Sequence, residues 1–297
     1  MKIQIATAPC SWGVFFPDGR TSGTPYETFL SQAHEAGYKE IELGPDGYLP
    51  QDVDVLRDKL QQNELSVCGG TATIPFALMT EEECCGVVDA LAQRLVALGC
   101  TNMVVMDGSG YDQSLGPKAQ WSEELWNKIY GNIAFINDYL KEKYGVRMVF
   151  HPHAGTAIEY TSEIERMLSL GEVYLCFDTG HHAFSNGGVE KGDQSALDFI
   201  RAHTDRIVYL HFKNVDGEIR KRAKEENWGM MQAFMNQVMC DLEDGIIDFE
   251  QLRDLLAEIG FEGSAIIEQD MFKVTTDFAF QTAKKNLQYL RRIGMIS

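Results

Sequence analysis

Eight short runs of apolar, often β-branched residues alternate with eight helical patterns from one end of this 297-residue chain to the other. The runs lie at 3–8, 40–43, 65–69, 102–106, 147–151, 173–177, 207–211 and 264–268. The helical patterns lie at 25–36, 52–62, 81–98, 122–144, 161–170, 195–203, 249–259 and 276–293. Thr80 before three glutamates, Ser122 before Glu123 and Glu124, and Asp248 before a periodic run read as helix starts, because each offers a side-chain oxygen to free backbone N–H groups. Gly37, Gly99, Gly145, Gly171 and Gly260 read as helix ends. Strands that are apolar on both faces belong in a parallel sheet covered by helices. Eight strand–helix units in this length predict an α/β fold, a single closed (β/α)8 TIM barrel over 1–297. An open doubly wound sheet would want GxGxxG after its first strand, and TAPCSWG is not that.

One connection is out of proportion. Between Asn214 and about Ile247 roughly thirty residues intervene, against the usual two to six. Its stretch KRAKEENWGMMQAFMNQVMCDL reads as helical and amphipathic. After the seventh strand such an insertion falls on the C-terminal face of the barrel, where it would serve as a lid or as a contact in a homo-oligomer.

Charge narrows the partners. The net charge of −18 and the absence of a basic stripe argue against nucleic acid and against an anionic membrane surface. No run approaches the roughly 20 apolar residues of a membrane span. The N-terminal stretch breaks at Pro9 and does not read as a signal peptide. Seven scattered cysteines without a CxxC read as reduced thiols, so the expectation is a cytoplasmic protein without thiolate zinc chemistry.

The chemistry clusters at strand ends. His151, Asp178, His211 and Glu268 each follow an apolar run directly, on four successive strands. In a barrel, strand C-termini converge on one site, and imidazole with carboxylate suits manganese, cobalt, iron or zinc. His153 and Lys213 share the side parity of His151 and His211. His181 follows Asp178 by three residues, Glu42 carries a carboxylate at the end of the second strand, and Trp12 offers an apolar wall in the first loop. A small polar substrate held at a metal with acid–base groups nearby is the expectation.

The segments APCSWGV, IELGPDGYLP, HPHAGT, DTGHH, HFKNV and EQD resemble, in this order, the myo-inosose-2 dehydratases of the xylose-isomerase-like TIM-barrel superfamily. The resemblance implies a divalent-metal hydro-lyase, with manganese or cobalt, that dehydrates 2-keto-myo-inositol to a trihydroxycyclohexanedione in inositol catabolism. It implies His151, Asp178, His211 and Glu268 as metal ligands. It leaves Lys213, His181, His153 and Glu268 for proton transfer, and Trp12 and Glu42 for the substrate. The wider superfamily has a glutamate where this chain has His151, an aspartate where it has Asn214, and a glycine where it has Glu243. Losing the first of those carboxylates removes one of two opposed bases that an epimerase needs. That favours elimination over the alternative, a metal-dependent ketose isomerase or epimerase.

Overall fold

The computed structural model describes residues 1–16 and 22–296. Its strands are β1 (Lys2–Thr7), β2 (Glu40–Glu42), β3 (Ser66–Gly69), β4 (Thr71–Ile74), β5 (Asn102–Asp107), β6 (Arg147–Phe150), β7 (Tyr174–Asp178), β8 (Ile207–Phe212), β9 (Asn214–Val215), β10 (Met239–Cys240) and β11 (Glu262–Ile267). Nine of them form one parallel sheet in the order β3-β2-β1-β11-β8-β7-β6-β5-β4. Its two edge members are halves of a single strand broken at Gly70. Leu43 N–H donates to Gly69 O on one side (3.0 Å) and Val104 N–H donates to Gly70 O on the other (2.9 Å). The ring is therefore closed, as an eight-stranded barrel, and the expected fold is the fold observed.

The glycine that ends β3 has a packing role. A Cβ on Gly69 would come within 2.6 Å of the Tyr209 hydroxyl, so only glycine lets that ring lie across the barrel. Tyr209 is the largest fully buried side chain of an interior filled by Ala6, Ala8, Cys68, Val104, Val149, Cys176 and Ile266, with the partly buried Tyr174 packed against it. A much larger apolar layer, including Trp12, Phe29, Leu56, Val88, Ile133, Phe212 and Leu287, sits outside the strands against the helices. Helix starts follow the sequence signals. Thr80 and Glu83 form a reciprocal capping box, and the Ser122 and Asp248 side chains accept from the first-turn N–H groups. Gly37 and Gly145 end their helices in the left-handed region, at φ 105° and 65°.

Three features depart from the pattern read in the sequence. The third strand continues past Gly69 as β4. β7 passes straight into a helix, Thr179–Asn186, where only a loop was expected; its eight residues include a glycine and are too few for periodicity to declare. The long insertion holds two helices, Gly217–Glu225 and Met230–Met235, rather than one. The left-handed Asn227 (φ 54°) separates them. β10 then returns antiparallel to β9, with Met239 opposite Val215. Asn214 locks that return. Its amide donates to Leu242 O (2.7 Å) and Ile247 O (2.9 Å), while its carbonyl accepts from Ile247 N–H and Val215 N–H. Among the described residues no helix is long and apolar enough to cross a membrane, and all seven cysteines are free.

Candidate metal and acid–base centre

The barrel's interior columns change from apolar to polar at the strand C-termini, and they keep the pleat's period of two. Val149 leads to His151 and His153, Cys176 to Asp178, Tyr209 to His211 and Lys213, and Ile266 to Glu268 and Asp270. All of these polar residues except the half-buried His153 are buried, none more than 6% exposed. They converge. His211 Nδ1 lies 3.1 Å from Glu268 Oε2 and 3.7 Å from Asp178 Oδ2. Lys213 Nζ lies 2.8 Å from Glu268 Oε2, 3.1 Å from Asp178 Oδ2, 3.0 Å from Asp270 Oδ2 and 3.1 Å from His181 Nε2.

Glu42 belongs to this centre from the second strand. Its carboxylate accepts from Tyr209 Oη–H (2.8 Å) and from Thr71 Oγ1–H (3.3 Å), and it meets His211 Nε2 at 3.0 Å. A carboxylate on Nε2 keeps the proton there and turns the Nδ1 lone pair toward Asp178 and Glu268. That is the usual orientation of a metal-binding histidine by its outer partner. Asp178 Oδ2 and His211 Nδ1 are both buried without a hydrogen bond. Facing each other beside the Glu268 carboxylate, with only the Lys213 ammonium pressed against the Asp178 oxygen, these two atoms fit a divalent cation, so the residues suit the metal that the sequence implied. Two of the His/Cys/Asp/Glu groups close enough to share one ion are Glu42–His211–Glu268 and His151–Cys176–His211.

His151, the fourth expected ligand, stands between two neighbourhoods. Its ring centre is 4.8 Å from that of His211, 5.4 Å from His153 and 5.5 Å from His181. His153 packs on His181, with centroids 3.7 Å apart, and its Nδ1 meets Ala154 O (2.8 Å) and the Tyr111 hydroxyl (3.2 Å). Trp12 is placed differently from the expectation. It is fully buried in the helix layer, edge-on to Phe29, and its indole N–H donates to Gln32 (2.7 Å), so packing has taken the face that would have lined a substrate.

Protonation follows burial and charge. Burial drives His153 down to about 3, reinforced by His181 and Lys213, and it drives His151 well below the usual range. For Asp178 and Glu268 burial works the other way, but the positive charge around them wins: Lys213 foremost holds Asp178, and His211 and Lys213 hold Glu268, well below the carboxylate range. Burial likewise opposes the charge on Lys213, yet Asp178, Asp270 and Glu268 hold its pKa well above normal. The centre thus offers fixed carboxylates, the neutral imidazoles of His151 and His153, one fixed ammonium, and a His211 whose pKa burial opposes but Glu268, Glu42 and Asp178 hold well above the usual range.

Sequence reading missed several supporting residues. Tyr209 carried a signal, since it sits two residues before His211, whereas Asp270, at the end of the EQD segment, stood in view as a strand-end carboxylate without a separate role. Asp107 ends β5 and accepts from Ser109 N–H and Oγ–H, Gly110 N–H and Ala157 N–H, tying two loops together. Phe234 of the insertion lies 5.9 Å from the His181 ring and 6.2 Å from His153, and stacks on Phe272, itself stacked on Phe15. Nothing in sequence spacing announces that contact.

A barrel closed by parallel strands, with imidazole and carboxylate gathered at their C-termini, defines a class, and the chain belongs to it: the xylose isomerase-like TIM barrel family, whose model matches residues 30–293. Within that family it is related over nearly its whole length to inosose dehydratases. That of Clostridium botulinum (strain Alaska E43 / Type E3) is 27% identical over 305 residues, spanning 99% of this chain and 98% of that protein. The rhizopine catabolism protein MocC of Rhizobium meliloti is 30% identical over 280 residues, 91% of this chain and 82% of that one. Solved structures of the same fold include the IolI protein with a bound zinc atom (TM-score 0.68, 17% identity, 97% of each chain). D-allulose 3-epimerase from Methylomonas sp. is another (TM-score 0.67, 16% identity, 98% of this chain and 97% of that one).

Proposed function

We propose that this protein is a metal-dependent hydro-lyase that dehydrates a cyclic polyol ketone, with 2-keto-myo-inositol as the substrate and a trihydroxycyclohexanedione as the product. Asp178, His211 and Glu268 would hold the cation, with His151 as the fourth ligand. Manganese or cobalt suits this mixed donor set, and zinc or iron would also bind it. When bound, the cation supplies Lewis acidity that makes the carbon next to a ketone easier to deprotonate.

The remaining chemistry is that of the chain's own groups. Elimination of water breaks a C–H bond beside the ketone and a C–O bond one carbon further on. One group must accept a proton and another must deliver one to the departing hydroxyl. Glu268 and His153 are held in the base form and Lys213 in the acid form. His181 lies between Lys213 (3.1 Å) and Asp270 (3.5 Å) and can hand a proton along that line. The observation that carries the reading is this fixed acid beside fixed bases: Lys213 Nζ and Glu268 Oε2 are 2.8 Å apart in one buried cluster. An epimerase would want a second carboxylate across the substrate, and β6 is followed instead by the imidazole of His151. Phe234 and the insertion at 214–247 support a cover that excludes water during the reaction.

The test is product analysis by NMR in deuterated water with the manganese-loaded protein. The expected outcome is loss of water from 2-keto-myo-inositol and little reaction with free ketohexoses. Inverted configuration with C–D exchange on a ketohexose, and no dehydration of any inosose, would make the protein an epimerase.

A further inference from the structure

Four consecutive residues, from the last of β7 into the helix that follows, all touch Lys213, the residue after β8. Asp178 Oδ2 faces Lys213 Nζ at 3.1 Å. Thr179 clamps the lysine backbone from both sides: its hydroxyl donates to Lys213 O (2.7 Å) and accepts from Lys213 N–H (3.1 Å). Gly180 has no Cβ, and one added there would collide with Lys213 Cβ. His181 Nε2 accepts from Lys213 Nζ at 3.1 Å. The segment Asp178–His181 is a socket for Lys213, and the lysine is 2% exposed within it.

A socketed lysine differs from an ordinary one. Surface lysines trade partners freely, whereas here the backbone, Cβ and ammonium are each fixed by a separate contact. The ammonium rests on Glu268 Oε2 and Asp178 Oδ2, two of the oxygens that would hold a divalent cation, and on Asp270 Oδ2 as well. A positive charge fixed within about 3–5 Å of a divalent ion repels it even at an effective dielectric of ~20. Coupling between two such cations is reciprocal, so whatever steadies the empty carboxylates must weaken the loading of the metal.

We propose that Lys213 is a tethered counter-ion, held by Thr179 and Gly180 as positioning residues, that neutralises the carboxylate cluster before metal arrives and keeps metal affinity low enough for exchange. This rests on the reading that Asp178, His211 and Glu268 take a divalent cation. It adds a consequence that reading does not require: removing the lysine makes the metal bind more tightly.

The experiment uses full-length protein stripped with chelator and Mn2+ alone as probe, with free Mn2+ followed by its paramagnetic resonance signal. Lys213→Gln should bind Mn2+ at least about tenfold more tightly than the unaltered protein, while its metal-free form melts at a lower temperature. Thr179→Val should move affinity in the same direction by a smaller factor. Leu256→Ala, a core change of comparable destabilisation away from the site, should leave Mn2+ affinity where it was. Binding by Lys213→Gln but not by the unaltered protein would also support the tether. Equal or weaker binding by Lys213→Gln overturns the proposal and leaves the metal reading standing. A failure of both proteins to bind overturns the two together.

Discussion

Single residues near the centre divide into those that would touch the ion and those that aim them. Exchanging Asp178 for Asn or Glu268 for Gln keeps shape and removes charge, so each should abolish stoichiometric Mn2+ loading, checked by metal analysis after gel filtration. Tyr209→Phe should do something subtler. It deletes one donor to Glu42 while leaving Thr71 and His211 in place. The expected result is a loss of about 1–2 kcal/mol in stability and a roughly tenfold weaker metal affinity through a less firmly held His211, read by denaturant titration and Mn2+ binding. The sequence declared His151, Asp178, His211 and Glu268 because each breaks an apolar run at the same register. It could have declared Tyr209 by the same parity, and it showed Asp270 as a strand-end carboxylate without a role of its own. Trp12 packs against Phe29 away from the cluster, and loop position alone does not say which way a side chain turns.

At the scale of elements, periodicity located all eight barrel strands and eight of the helices to within a few residues. What it missed is short or irregular: β4 beyond a Gly-Gly break, the helix Thr179–Asn186, and the two-helix form of the insertion. Those elements depend on tertiary contacts rather than on an amphipathic repeat, as Asn214 illustrates. Asn214→Ala removes four hydrogen bonds that close the insertion. Its cost should be about 2–4 kcal/mol, and amide exchange within 217–240 should accelerate. If the insertion covers the site, turnover falls further than the melting temperature alone would explain. Unchanged kinetics in a variant with faster exchange there would separate the segment from catalysis.

Across the whole molecule, acid is the expected weakness. His182 is buried between Phe177 and Phe199, and burial lowers its pKa from 6.5 to about 4, against the pull of Asp193. A histidine kept neutral in the fold and free to protonate when unfolded contributes stability that is complete above pH ~6.5 and lost as pH falls toward 4. That loss is on the order of 3 kcal/mol for His182, and His151 and His153 shift in the same direction. His182→Leu should flatten stability across that window, measured by urea unfolding at pH 7 and pH 4.5. An equally steep decline in the variant would assign the acid sensitivity elsewhere.

The seam between β1 and β11 also sets an order in time. β1 meets β2 through only two residue pairs but meets β11 through six, from Lys2 opposite Glu262 to Thr7 opposite Ile267. During synthesis the opening strand therefore waits for a partner some 260 positions downstream, its backbone donors and acceptors unmatched along that edge. Glu268 follows β11 immediately and Asp270 comes two residues later, so these two carboxylates of the cluster around Lys213 are the last to arrive. Translation intermediates halted before residue 262 should be digested readily near β1, and they should gain resistance only once the seam has emerged.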